Sequence, residues 1–171
     1  MTVKNVAKDP ETLTMTIASE FDASIGRVWN LWQDPRLLER WWGPPGYPAT
    51  VIDHDLTEGG TIAYFMTGPE GDRQHGWWRV LAVDAPHQLE FEDGFADDAG
   101  DPNPAMPTMR IRVSLSEQTG GRTLMSVVTT FPSVEAMDEM ITMGMEEGFA
   151  LALGQIDALL DSASRSAEAT P

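Results

Sequence analysis

Apolar and polar side chains alternate along much of this chain. Leu13, Met15 and Ile17 alternate with Thr12, Thr14 and Thr16, the period-two signature of a strand with one buried face, and this strand ends near Phe21. Asp22 and Ser24 offer N-caps for a short helix in which Ile25, Val28, Trp29 and Trp32 recur at helical spacing. Asp34-Pro35 restarts a second short helix through Leu37, Leu38 and Trp41, and Gly43-Pro44-Pro45-Gly46 stops it.

From Tyr47 to Phe131 the pattern predicts six strands, over 47–55, 60–66, 74–84, 88–93, 107–118 and 121–131, separated by Gly, Pro and Asp clusters. Met109, Ile111, Val113 and Leu115 against Arg110, Arg112 and Ser114 is the clearest alternation, and Thr119-Gly120-Gly121 suits a hairpin turn. Residues 93–107 are acidic and Pro-rich and read as a long surface loop. Ser133 caps a long helix predicted to run to about Asp161, with Glu135, Asp138 and Glu139 near the positive end of its dipole. At 100° per residue, Met137, Ile141, Gly144, Met145, Gly148, Leu151, Ala152, Gln155 and Leu159 share one face, opposite Glu139, Glu146 and Asp157. Phe149 and Leu153 flank that stripe, where they can cover the short helices or form a dimer seam. One strand, two short helices, six strands and a long helix require an α+β fold: a curved antiparallel sheet of about seven strands with helices on one face.

The length of 171 residues fits one domain. We expect that domain over 1–161 and a small, polar, disordered tail over 162–171. With 11 Lys+Arg against 27 Asp+Glu the formal charge is −16, which argues against a nucleic-acid backbone or an anionic membrane surface as partner. The absence of cysteine excludes disulfides, thiol catalysis and thiolate metal sites. The first residues show no signal-peptide pattern and no segment has the length of a spanning helix, so a cytoplasmic location is expected.

Phe21 with Trp29, Asp34-Pro35, Trp41-Trp42-Gly43-Pro44, Gly46, Asp55, Gly59-Gly60, Met66, the Gly68 to Gly71 turn and Gly76 form one set of informative positions. Pro86, Leu89, Glu117, Gly121, Thr123 and Gly148-Phe149 extend it. Together they resemble the heat-shock protein 90 ATPase activator-like family over roughly residues 12–161, with DPRLLERWWGPPGY as the most specific block. The resemblance implies the START-like helix-grip fold, in which a curved sheet wraps a long C-terminal helix and leaves a cavity between them. Relatives in that superfamily include lipid-transfer proteins, plant hormone receptors and polyketide cyclases or aromatases, so fold alone leaves activity open.

Two glycines inside the last helix, Gly144 and Gly148, disfavour it by about 1 kcal/mol each relative to Ala. They serve either close helix-to-sheet packing or room for a ligand. Gln155 on the same face needs a polar partner, either backbone or ligand. Met137, Met140, Met143 and Met145 suit an adaptable apolar wall and equally a plastic core. Of the adjacent pair Trp77-Trp78 one must face inward, and Trp41-Trp42 either sits by the cavity mouth, as the resemblance implies, or plugs the end of the core.

His54, His75 and His87 lack any Ser/His/Asp, HxH or HExxH spacing, so no metal and no cofactor is expected, and His75 or an acid is the candidate base if the protein is an enzyme. Gly59-Gly60 and GPEG at 68–71 read as hairpin turns, and Arg110, Arg112 and Arg122 as surface ion-pair partners. The resemblance and the helix angles together imply a small apolar or aromatic ligand. Its expected wall comprises Trp41, Trp42, Tyr64, Met66, Trp78, Phe91 and Met109 from the first part of the chain. Met137, Ile141, Met145 and Gly148 come from the helix, with Gln155 as polar anchor. The alternatives are a filled cavity with an exposed surface that binds a chaperone or forms a homodimer, and a cyclase-like or hydrolytic enzyme.

Overall fold

Alternation of core-facing and solvent-facing side chains lays down the sheet. A computed structural model describes residues 3–161. In chain order it contains β1 (Val3–Asp9), β2 (Thr14–Phe21), α1 (Ile25–Gln33), α2 (Pro35–Trp41), β3 (Ala49–His54) and β4 (Thr61–Thr67). These are followed by β5 (Arg73–Asp84), β6 (Gln88–Ala96), β7 (Met109–Gln118), β8 (Arg122–Thr130), α3 (Val134–Thr142) and α4 (Met145–Gly154). All strand pairs are antiparallel in one eight-stranded sheet of order β1-β2-β8-β7-β6-β5-β4-β3. Helices cover one face, as in the START-like helix grip.

The sheet has one strand more than the alternation predicts. β1 pairs with β2 alone, with Val6 opposite Ile17 and Lys8 opposite Met15. Its sequence VKNVAKD is polar on both faces, and from Asn5 to Asp9 only Val6 is partly buried, so an edge strand here leaves no period-two trace. β6 also runs three residues past the expected end, to Ala96.

Local capping explains the two short helices. The Ser24 hydroxyl accepts from the Arg27 N–H at 3.4 Å, and the Asp34 carboxylate accepts from the Arg36 N–H at 2.9 Å with Pro35 in the first turn. They bury Val28, Trp29, Leu31, Trp32, Leu38 and Trp41 against the sheet. Trp32 joins the helices to the sheet, with ring centroids 4.7 Å from Trp41, 6.1 Å from Trp42, 6.0 Å from Trp78 and 6.2 Å from Phe91. Such aromatic pairs add about 0.5–1.5 kcal/mol each beyond their buried area.

The C-terminal helix is broken, which corrects the continuous helix expected from Ser133 to Asp161. Ser133 does cap α3, accepting from the Ala136 N–H at 3.0 Å. α3 then closes at Met143, and Gly144 adopts φ 92°, a left-handed conformation that ends one helix and starts the next. The break shifts the helical phase. Leu151, placed on the buried face by a continuous helix, is 57% exposed, whereas Leu153, placed beside it, is 1% exposed. A further irregularity at Gln155 precedes helical residues 156–161. The expected tail, 162–171, lies outside the described residues.

Candidate functional site

Toward its β3 edge the sheet presents Tyr64 and Met66 from β4, Gly76 and Trp78 from β5, and Phe91, Asp93 and Phe95 from β6 to the helices. A Cβ at Gly76 would stand 2.4 Å from the Tyr64 ring, so the glycine is what lets Tyr64 lie flat across β5. Tyr64 there reaches Asp93 with its hydroxyl, donating to a carboxylate oxygen at 3.4 Å. Trp77 takes the opposite face, lies over Gly94 and donates its N–H to the Phe95 carbonyl at 3.0 Å. Of the adjacent pair it is thus Trp78 that faces inward, stacked on Phe91 with centroids 4.0 Å apart.

Between this part of the sheet and the α3–α4 break lies a cavity of about 260 Å³. Its sheet side is made by Tyr64, Met66, Asp93, Phe95, Met109 and Ile111, and its helix side by Met140, Met143, Gly144, Met145, Gly148 and Phe149. Trp42 and Pro44 close one end. The helix break builds the rim: Met143, 60% exposed, stands at the opening. An ideal Cβ on Gly148 would have no atom within 4 Å. Close helix-to-sheet packing therefore does not explain that glycine, which faces open space.

One polar cluster interrupts the apolar wall. Asp93 is 9% exposed, and among the described residues no Lys, Arg or His pairs with it. Burial raises its pKa to about 7, opposed by the Tyr64 hydroxyl and the Trp78 N–H, which favour the charged form. The Tyr64 hydroxyl is pushed well above its ordinary value, first by burial and then by the neighbouring Asp93 charge. The Trp42 and Trp78 N–H groups lie close enough to favour an ionised Tyr64, yet neither has an acceptor in hydrogen-bonding geometry.

Trp42, Tyr64, Met66, Met109, Met145 and Gly148 from the expected wall come together around the cavity. Trp41, Trp78, Phe91, Met137, Ile141 and Gln155 do not line it. Trp41 is fully buried and donates to the Leu31 carbonyl at 2.9 Å. Trp78 and Phe91 form the layer of the core beside Tyr64 and Asp93, Met137 is core, and Ile141 is half-buried against it. Gln155 donates to the Gly43 carbonyl at 2.7 Å and the Trp41 carbonyl at 3.3 Å, tying the C-terminal helix to the end of α2 instead of reaching the cavity.

Pro44, Asp93, Phe95, Ile111, Met140, Met143, Gly144 and Phe149 are wall residues that the expected set lacks. The alternation Leu89, Phe91, Asp93, Phe95 does carry the signal for Asp93, but Asp93-Gly94 reads as a turn and ends the strand too early. None of the three histidines lines the cavity; His54 bonds the Trp32 carbonyl at 3.0 Å, and His75 packs on Phe65 on the other face of β4 and β5. Among the described residues no group of His, Asp or Glu is placed to hold a metal ion. No helix among them is long and apolar enough to cross a membrane.

A curved antiparallel sheet gripping C-terminal helices over an apolar cavity defines a START-like protein. The model of the family described as Activator of Hsp90 ATPase homolog 1-like protein matches residues 22–161, and the chain belongs to that family. It is similar to a solution structure of a protein from Arthrobacter aurescens, with 49% identity over 94% of this chain and 92% of that one and a TM-score of 0.90. A crystal structure of a Mycobacterium smegmatis protein is 47% identical over 92% of this chain and 96% of the other, with a TM-score of 0.85. A Staphylococcus epidermidis protein is 30% identical over 93% and 94% of the two chains, with a TM-score of 0.81. No curated protein matches the chain.

Proposed function

We propose that this protein binds a small apolar or aromatic molecule in the cavity between the sheet and the α3–α4 helices. The observation that carries this reading is the space over Gly148. A glycine in a helix interior disfavours the helix by about 1 kcal/mol relative to Ala, and here none of the described residues occupies the room it leaves. A wall rich in methionine supports the same reading, because unbranched, polarizable thioethers adapt to guests of irregular shape.

Native mass spectrometry of freshly purified protein, read beside the denatured mass, tests this. The expected result is a reproducible extra mass that disappears on denaturation. A clean unliganded mass, with no stabilisation of the protein by any of a panel of small aromatic compounds, overturns it.

A further inference from the structure

Among the described residues the one carboxylate lining the cavity is Asp93, and it stands without a cation. Tyr64 supplies it a single long hydrogen bond at 3.4 Å, whereas an ionised carboxylate offers about four acceptor positions. A buried charge that no partner neutralises is strongly disfavoured, so a guest that brings a positive charge gains more at this spot than one that does not. The walls beside it are aromatic as well as aliphatic: Trp42 lies with its centroid 6.1 Å from Tyr64 and 5.6 Å from Phe149, and Phe95 follows Asp93 on the same face of β6. Aromatic rings attract a cation to their faces, whereas the Trp42 and Trp78 N–H groups, which have no acceptor, offer a neutral or anionic guest only uncharged donors. The net charge of −16 acts in the same direction at longer range, drawing cations in and repelling carboxylates.

Resting on the cavity reading above, we propose that the guest is a small apolar amine whose ammonium group seats on the Asp93 carboxylate beside Tyr64, its apolar body lying against the Met and Phe walls. A neutral alcohol satisfies one acceptor but leaves the charge uncompensated, and a carboxylic acid finds no cation to meet it. The elevated Asp93 pKa agrees, since it is what a buried carboxylate shows before its counter-ion arrives. Asp93 is bonded by Tyr64 of β4 and lies opposite Trp78 of β5 and Met109 of β7, while Met140, Met145 and Phe149 line the helix side of the same cavity. Tyr64 is thus the one other titratable side chain lining the cavity among the described residues, and Glu147 stands beside Gly144 at the rim.

Three probes that share one body isolate the head group: 1-naphthylmethylamine, 1-naphthalenemethanol and 1-naphthoic acid, each titrated calorimetrically into the whole protein at pH 8. The amine is expected to bind about tenfold tighter than the alcohol, the gain of one charge-assisted contact, and the acid weakest. Asp93→Asn is expected to remove the amine's advantage over the alcohol, bringing the two affinities within about threefold of each other. Should that variant not fold, the wild-type pH profile decides: amine affinity falls as pH drops from 8 to 5.5 and Asp93 is protonated, while alcohol affinity stays flat.

An acid that binds as well as the amine, an amine advantage that survives Asp93→Asn, or an amine affinity that ignores pH overturns the proposal. Alcohol binding without any preference for the amine overturns it and leaves the cavity reading standing. Binding of none of the three overturns the proposal, and the native mass measurement then decides the cavity reading.

Discussion

Asp93 turns a feature of local packing into a dependence of the whole fold on pH. Its carboxyl titrates at about 7 in the folded protein against an ordinary value of 3.8, because burial disfavours the charge. Between those values the folded chain holds a proton that the unfolded chain has released. Stability therefore falls as pH rises from about 4 to about 7 and levels off above, by roughly 3–5 kcal/mol in all. Asp93→Asn removes that dependence, so urea unfolding of wild type and variant from pH 5 to pH 8 is expected to give diverging curves, the variant gaining relative to wild type up to about pH 7 and the gap levelling off above. Parallel curves would show that Asp93 is not the group responsible. Gly148 makes the complementary case. With open space around its Cβ position and ordinary helical φ, Gly148→Ala is expected to raise stability by about 1 kcal/mol in the same assay. Gly148→Leu should keep the fold and fill the cavity, so that probe binding is lost without a fall in the unfolding midpoint; a lower midpoint would mean that the cavity is smaller than its walls indicate.

At the scale of elements the decisive feature is the α3–α4 break. Gly144 sits at φ 92°, where a residue with a Cβ is disfavoured by about 1–2 kcal/mol, so Gly144→Ala is expected to lower stability by that amount in thermal unfolding, unlike the same change at Gly148. Equal effects at the two glycines would contradict the break. Sequence alone does not separate them, since an isolated glycine inside an apolar-periodic run is compatible with a continuous helix. The phase of the buried stripe is consequently readable up to Ile141 and misleading at Leu151 and Leu153. The strands β2 to β8 are legible because each has one wet and one dry face, and the caps Ser24, Asp34 and Ser133 because a capping side chain acts within a few residues of itself. β1 is not, being polar on both faces. Cavity residues on strands with clear alternation, such as Tyr64, Met66 and Met109, are legible too; Asp93 and Phe95 lie beyond a false turn, and Gln155 meets its partners through contacts over 112 and 114 positions of chain that periodicity does not encode.

Across the whole molecule, acids outnumber bases 27 to 11, so even if every base held a partner, 27 − 11 = 16 negative charges would remain uncompensated. The ion pairs that do form, such as Arg110 with Glu90 at 3.4 Å and Arg122 with Glu20 at 3.3 Å, lie at the surface and contribute at most about 1 kcal/mol each. Self-repulsion of the excess charge should outweigh them. Screening acts on both, with a Debye length of about 10 Å at 0.1 M salt, but it weakens a few attractions and many repulsions. Added sodium chloride is therefore expected to raise the urea midpoint at pH 7.5 without changing the slope of the transition. Asp93 is shielded from solvent and its unfavourable burial is a desolvation effect, not a long-range repulsion, so wild type and Asp93→Asn should show the same salt response while differing in their pH response. A salt response that disappears in Asp93→Asn would place the dominant repulsion inside the cavity; one that is flat in both would mean that the surface acids are arranged so that their attractions balance their repulsions.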